Sequence, residues 1–197
     1  MTEELIPGDP GASALFHRLG IRGRVPSGHP ATEVLVAMGY ASERSGWLVR
    51  TAEGLCAHRE TARLTDGSTE HQATERAFEG FLPLNARLLA ACTAWQIRDG
   101  APNDHTDPVY DWEVVDRVGV IDDRAAPLLR GLGTVVLRFG GYPGRLRGAR
   151  QRLEEGDHAW LASPRCDSYH TVWMELHEDF LVALGRDREE GVGGPAA

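Results

Sequence analysis

Residues 167–185 most constrain how this chain can fold, and their sequence is DSYHTVWMELHEDFLVALG. At about 100° per residue, the large apolar side chains of this segment share one face of a helix. His170 and His177 fall inside that apolar arc, whereas Glu175 and Asp179 are predicted to face water. The apolar face consists of Tyr169, Trp173, Leu176, Phe180, Leu181 and Leu184.

Two imidazoles on the buried face of a helix need hydrogen-bond partners. A buried polar group without a partner costs about 1–3 kcal/mol. The segment therefore predicts either a ligand site in the protein core or a closed network of buried hydrogen bonds around His170 and His177.

Composition excludes several classes of protein. The net charge of −8 argues against a nucleic-acid footprint over the whole surface, although residues 10–65 hold seven arginines and only four acidic residues. No apolar run approaches the roughly 20 residues that span a bilayer. The acidic, proline-containing start is unlike a signal peptide, and three scattered cysteines give neither a disulfide framework nor a zinc motif. We therefore expect a cytoplasmic protein that does not contact a membrane.

The first third of the chain predicts short helices around a hairpin. Residues 11–20 and 31–38 have helical patterns, and Pro30 is suited to the first turn of the second helix. Residues 41–44 and 47–50 read as two strands joined by Ser45-Gly46, and a further helix begins after Thr51.

The segments VLVAMGY (34–40) and GWLVRTAEG (46–54) resemble the end of a winged-helix domain of the MarR type. This resemblance implies a DNA-binding module over residues 10–66. The usual first helix would have to lie within Met1–Pro10, where prolines and a glycine prevent it, so the module is expected to be truncated. The side chains placed to contact DNA are Arg22, Arg24, Arg44 and Arg50.

The second part of the chain, residues 70–187, predicts an acidic four-helix-type bundle. A long helix is expected over residues 70–98, with a bend at Pro83. Residues 99–107 read as a loop, and Asp107-Pro108 as the cap and first turn of a helix that is bent or broken at Pro127. Residues 139–144 read as a turn before a short arginine-rich helix over 145–155. Residues 188–197 are expected to be a disordered tail.

Polar residues recur at predicted core positions of this bundle, where bundles hold ligand and metal sites. The candidate ligand-binding residues are Asn85, Trp95, Gln96, Asp104, His105, Asp107, Arg117, Tyr169, His170, Trp173 and His177. The alternative is a self-satisfied network of buried hydrogen bonds. Acid–base chemistry is a further option, in which Asp104 or Asp107 orients an imidazole.

A metal site is not expected from this pattern. His170 and His177 lie about 10.5 Å apart along a helix axis, and neither belongs to an HExxH or ExxH motif. No resident cofactor is therefore predicted.

The second part also resembles the carboxyl-terminal helical region of actinobacterial proteins labelled as MarR-like regulators. The residues that carry this resemblance are 81–96, 103–107 and 167–179. It implies a mainly α protein, a truncated winged-helix-like module packed on a helical bundle. It implies no particular ligand or reaction.

The wing-like hairpin joined to a bundle with inward polar residues predicts a regulator that responds to a small polar or anionic molecule, with duplex DNA and a second copy of the chain as partners. The missing first helix and the net charge of −8 favour the alternative, a small biosynthetic enzyme or ligand carrier on a degenerate regulator scaffold. A third option is a protein–protein interaction module whose inward polar groups are structural only.

Overall fold

A computed structural model describes residues 5–187, which divide into two compact units. The first unit comprises residues 5–71 together with 178–187, and the second comprises residues 72–177. The carboxyl-terminal half of the last helix thus groups with the first unit, whereas the whole of that helix was predicted to belong to the bundle. The tail predicted for residues 188–197 lies outside the described residues.

The first unit contains three helices, a three-stranded antiparallel sheet and the end of the last helix. Asp9 caps its first helix by accepting the Ala12 N–H at 2.8 Å, and Pro10 occupies the first turn. The elements are α1 (Pro10–Arg22), β1 (Arg24–Pro26), α2 (Thr32–Ala37), β2 (Ala41–Arg44), β3 (Trp47–Arg50) and α3 (Ala52–Ala62), and the strand order is β1-β3-β2. The helices and the hairpin predicted for this region are confirmed.

The β2–β3 hairpin turns through Ser45 and Gly46, whose φ angles are 49° and 79°. Two consecutive positive φ angles are the signature of the type I′ turn that suits the twist of paired strands. Val25 and Leu48 are register partners and are both buried, so this face of the sheet packs on the core of the first unit. The opposite face carries the exposed ring of Trp47.

The second unit is helical apart from one short hairpin. Its elements are α4 (Thr69–Gln96), β4 (Ile97–Arg98), β5 (Ala101–Pro102), α5 (Pro108–Val135), a 3-10 helix (Leu137–Gly141), α6 (Tyr142–Glu154), α7 (Ala159–Ala162) and α8 (Tyr169–Leu184). The first residues of α4 and the last residues of α8 belong to the first unit. The chain is therefore mainly helical with a small amount of antiparallel sheet, as predicted.

Several expectations for the second unit need correction. Pro127 does not break α5, because a proline removes only one bond from a ladder whose flanking residues are buried. The long helix α4 runs through Pro83, as predicted. The segment predicted as a loop begins with a hairpin that turns at Asp99-Gly100, with φ angles of 52° and 79°. The predicted turn at 139–144 is a 3-10 helix that leads directly into α6.

The last helix, α8, is buried on more than one face, and this corrects the predicted orientation of two acidic residues. Glu175 is only 7% exposed and Asp179 is fully buried, although both were expected to face water. Glu175 accepts a hydrogen bond from Arg145 at 2.8 Å, which compensates its burial. None of the helices within residues 5–187 combines the length and apolarity needed to cross a bilayer.

Candidate functional site

Asn85 and Trp173, two predicted ligand-binding residues, bond to each other in the core of the second unit. The indole N–H of Trp173 donates to Oδ1 of Asn85 at 3.0 Å, and Asn85 is only 7% exposed. Phe81 stacks on the Trp173 ring at a centroid distance of 4.8 Å. Asn85 and Trp173 therefore form a buried hydrogen bond within a packed core and do not line a ligand site. This is the alternative of a self-satisfied network of buried hydrogen bonds.

Tyr169 and His177 are also held by core contacts. The Tyr169 hydroxyl donates to Oδ1 of the buried Asp122 at 3.3 Å, and burial raises the pKa of this tyrosine. His177 stacks with the rings of Phe78 and Phe81 at centroid distances of 6.0 and 5.5 Å. Both residues are almost inaccessible to a ligand.

Arg117, Gln96 and His170 do not join a common site. Arg117 was predicted to lie on the buried stripe of α5, but its side chain is 53% exposed and reaches Glu113. The buried stripe instead follows Val114, Val118 and Ile121, which leaves position 117 on the solvent side. Gln96 is exposed at the end of α4, and His170 is half-buried, where desolvation lowers the pKa of its imidazole.

His105 lies in a different cluster, which we call the histidine pocket: His105, Asp111 and His158, with Trp95, Asn103 and Trp112 around them. Nδ1 of His105 lies 3.0 Å from Oδ2 of Asp111. Nδ2 of Asn103 donates to Oδ1 of Asp111 at 3.0 Å and to the carbonyl oxygen of Trp95 at 3.1 Å. Asp111 is only 4% exposed, so its carboxylate is a buried charge held from two sides.

The hydrogen bonds around His105 indicate which of its two ring nitrogens carries the proton when the imidazole is neutral. Both amide hydrogens of Asn103 are used by Trp95 and Asp111, so its 3.2 Å approach to Nδ1 of His105 is not a further bond. In the neutral imidazole, Nδ1–H therefore donates to Asp111, and Nε2 carries the lone pair. Among residues 5–187, no group bonds to that Nε2 atom.

Local structure fixes the loop that presents His105. Oδ1 of Asp104 accepts from both the backbone N–H and the hydroxyl of Thr106, and the hydroxyl is the main reason that the pKa of Asp104 lies below its usual value. Asp107 caps α5 and meets Arg98 at 3.0 Å; the N–H of Tyr110 is the largest influence that lowers the pKa of Asp107. Both aspartates thus shape the loop. The prediction that Asp104 or Asp107 orients an imidazole is therefore wrong, because Asp111 meets His105 instead. His105 itself has a φ of 57°.

The histidine pocket borders a cavity of about 200 Å³. Its lining residues combine the three polar groups with an apolar wall: His105, Pro108, Asp111, Trp112, Val115, Leu153, Gly156 and His158. Trp95 packs against both imidazoles, with ring centroids 4.5 Å from His105 and 5.1 Å from His158. A water molecule occupies about 30 Å³ of liquid, so the cavity has room for a few waters or one small organic molecule.

Asp111 and His158 were not among the site residues predicted from the sequence. Asp111 could have been found, because it lies three and four residues before Val114 and Val115 on the buried stripe of α5. A carboxylate on an apolar stripe needs a partner in the same way as the imidazoles of α8. His158 precedes the four-residue helix α7 in a polar segment, and no pattern in the sequence marks it.

A second cluster of histidines lies in the first unit, and we call it the closed triad: His17, His58 and Asp179. Nε2 of His17 lies 3.2 Å from Oδ2 of Asp179, and Nδ1 of His17 lies 3.0 Å from Nε2 of His58. His58 and Asp179 are fully buried. Gly20 on α1 faces the His58 ring so closely that any Cβ atom there would collide with it.

The arginines predicted to contact DNA do not share one face. Strand register places Arg24 and Arg44 beside Trp47 on the outer face of the sheet, where the Arg24 guanidinium lies 4.9 Å from the Trp47 ring centroid. Arg50 lies on the inner face and donates to the carbonyl oxygen of Gly20, and desolvation lowers its pKa. Arg22 is half-buried in the last turn of α1.

No family model, curated protein or solved structure matches this chain.

Proposed function

We propose that this protein binds a small polar molecule in the histidine pocket and acts as a small enzyme or carrier for that molecule. The observation that carries the proposal is the His105–Asp111 dyad beside a cavity. Asp111 fixes the ring of His105 through Nδ1, so that Nε2 is presented as an acceptor for a proton or a hydrogen bond. An imidazole oriented by a buried carboxylate is the arrangement that general-base catalysis requires.

The backbone of His105 supports the same proposal. A positive φ is uncommon for a residue other than glycine, and it persists where surrounding contacts over-determine the conformation. Here the Asp104–Thr106 turn, the Asp107 cap and Asn103 enforce it. The loop is therefore built to hold one side chain, and that side chain lines the cavity.

The test is a ligand titration of the full-length protein after treatment with a chelator, with small alcohols, amides and carboxylic acids as probes. NMR signals of the His105 and His158 rings and the Trp112 indole report binding. We expect saturable shifts for at least one probe class and a loss of affinity of at least about tenfold in Asp111→Asn, since a buried dyad acts as a unit.

Asp116→Asn is the matched control, because it makes the same change on the exposed side of α5 and should leave the titration unchanged. The proposal is contradicted if no probe class shifts these rings, or if the shifts persist in both Asp111→Asn and His105→Gln.

A ligand-responsive regulator of the MarR type is the second candidate, and the outer face of the sheet favours it. Arg24 and Arg44 flank the exposed Trp47 there, on a hairpin that follows α2. Two features weigh against it. A helix-turn-helix joins its helices by three or four residues, whereas residues 23–31, including β1, separate α1 from α2. Arg50, moreover, turns inward.

Binding to random duplex DNA at low salt tests this second candidate. A regulator should bind with micromolar or tighter affinity and lose that affinity steeply as salt is added, because phosphate contacts release counterions. The double variant Arg24→Ala/Arg44→Ala should weaken binding, and Arg117→Ala, an exposed arginine of the second unit, should not. Absence of binding would exclude the regulator and leave the enzyme or carrier.

A further inference from the structure

We propose that the histidine pocket is a binding site for a divalent transition-metal ion, with His105, Asp111 and His158 as its protein ligands. One donor atom of each residue lies within 4.8 Å of the other two. This inference rests on the proposed function only in using the same pocket, and it adds an ion to the polar groups that a bound molecule would meet.

The distance between His105 and Asp111 fits two ligands of one ion. Their Nδ1 and Oδ2 atoms are 3.0 Å apart. Metal–nitrogen and metal–oxygen bonds of about 2.1 Å place neighbouring ligand atoms about 3.0 Å apart at 90° and about 3.4 Å apart at the tetrahedral angle. The pair therefore forms one edge of a coordination sphere without any movement of the backbone.

The surroundings of Asp111 are those of a metal-binding carboxylate. Asn103 holds Oδ1 and is itself fixed by the carbonyl oxygen of Trp95, so Oδ2 is the oxygen directed to His105. Groups that orient ligands in this way are a regular part of metal sites and change metal affinity about 10- to 100-fold. Because Asp111 is only 4% exposed, water does little to stabilise its carboxylate, and a positive ion beside it is favourable.

His158 supplies the third ligand from a different element. Its ring is exposed at the start of α7 and packs against Trp95 with an interplanar angle of 83°. The three donor atoms lie within 4.8 Å of one another, and ligand atoms that share one ion lie no more than about 4.2 Å apart. A small rotation of the exposed His158 side chain is therefore enough to bring all three within coordination distance. All three residues line the cavity, which has room for further ligands of the ion.

The donor set indicates the class of ion. Two imidazoles and one carboxylate suit Fe²⁺, Co²⁺, Ni²⁺ and Zn²⁺, whereas Mg²⁺ and Ca²⁺ prefer oxygen ligands alone. No cysteine lines the cavity within the described residues. Cys92 is buried, and desolvation raises the pKa of its thiol to about 11, which keeps it protonated and a poor ligand.

Binding of the ion requires a change of tautomer at His105. Without metal, the Nδ1–H proton lies between the imidazole and Asp111. An ion bound by Nδ1 and Oδ2 requires the other neutral tautomer, in which Nε2 carries the proton. The ion then takes the place of the hydrogen bond between His105 and Asp111, and no net proton release is needed.

The experiment is a titration of the chelator-treated, full-length protein with Co²⁺ and Zn²⁺, followed by visible absorption for Co²⁺ and by calorimetry for both ions. We expect one ion per chain with micromolar or tighter affinity. His105→Ala and His158→Ala should each weaken binding at least about 30-fold, and Asn103→Ala about tenfold.

Two controls separate this site from fortuitous metal binding. Asp116→Asn, on the exposed side of α5, and His29→Ala, in the first unit, should leave the affinity unchanged. Asp111→Asn keeps the shape of the buried side chain, so this variant should lose metal affinity while it remains folded. Circular dichroism checks that the fold is retained.

The metal inference is overturned if no ion binds below about 100 μM, an affinity of only about −5.5 kcal/mol, or if binding survives in the His105→Ala/His158→Ala double variant. An organic probe that still binds the chelator-treated protein would then leave the proposed function standing. Conversely, metal binding without any response to organic probes supports the ion and contradicts the proposed function.

Discussion

Each of the two units carries a pair of histidines near a buried aspartate, and the cluster of the second unit lines a cavity. In the closed triad of the first unit, Asp179 and His58 are fully buried and α1 packs directly over the His58 ring. In the histidine pocket of the second unit, the aspartate is equally buried, yet His158 is exposed and His105 is partly exposed. The same residue types are therefore packed in the core of the first unit and accessible to a ligand in the second.

The hydrogen bonds of the two clusters follow this difference. In the closed triad, Nδ1 of His17 lies at hydrogen-bond distance from Nε2 of His58, and Nε2 of His17 lies at hydrogen-bond distance from Asp179, so both nitrogens of His17 are used. In the histidine pocket, Nδ1 of His105 is used, and no group of residues 5–187 bonds to its Nε2 atom. A ring whose two nitrogens are both bonded inside the protein has nothing left for a ligand, so bonding, more than residue type, separates structural from functional histidines.

The largest expected effect is a loss of stability in Asp179→Ala. This change removes the buried acceptor of His17 and leaves a cavity, and because His17 is partly exposed we expect a cost of about 2–3 kcal/mol in the free energy of unfolding. Urea denaturation measures it. Asp179→Asn keeps an oxygen acceptor and should recover part of the loss. A cost below about 0.5 kcal/mol, which is typical of a surface substitution, would contradict a structural role for the triad.

The smallest expected effect is the change of stability in His105→Asn. Asparagine tolerates a φ of 57° better than histidine, but the change also removes the donor to Oδ2 of the buried Asp111. The two effects oppose each other, so the free energy of unfolding should change by less than about 1 kcal/mol while pocket binding is lost. His158 has an ordinary φ of −57°, so His158→Asn is the matched control for the backbone effect and should give no gain. If His105→Asn destabilises the protein as Asp179→Ala does, the contrast between the two clusters does not hold.

Local signals in the sequence account for most of the secondary structure. Thr51 caps α3, Asp107-Pro108 starts α5 and Ser45-Gly46 forms the hairpin turn, because each depends on residues within a few positions of one another. The burial of the acidic residues of α8 could not be predicted from such local signals. Its acidic residues are buried because Arg145 and His17, distant in sequence, provide partners for them.

The candidate site was predictable only in part. His105 stood out in a polar loop, but its partner was sought among the neighbouring Asp104 and Asp107, which bond to the loop itself. The partner is Asp111, one turn into the helix, and His158 follows 47 positions later. Periodicity identifies which face of a helix is buried, and it carries no information on which distant segment covers that face.

The close packing of Gly20 on His58 makes these two positions dependent on each other. A chain that keeps an imidazole at position 58 can accept no side chain at position 20, whereas a chain with a small residue at 58 gains space for alanine on α1. The two sites should therefore change together among relatives of this protein. Such paired substitution would mark which relatives retain the closed triad, without any need for their structures.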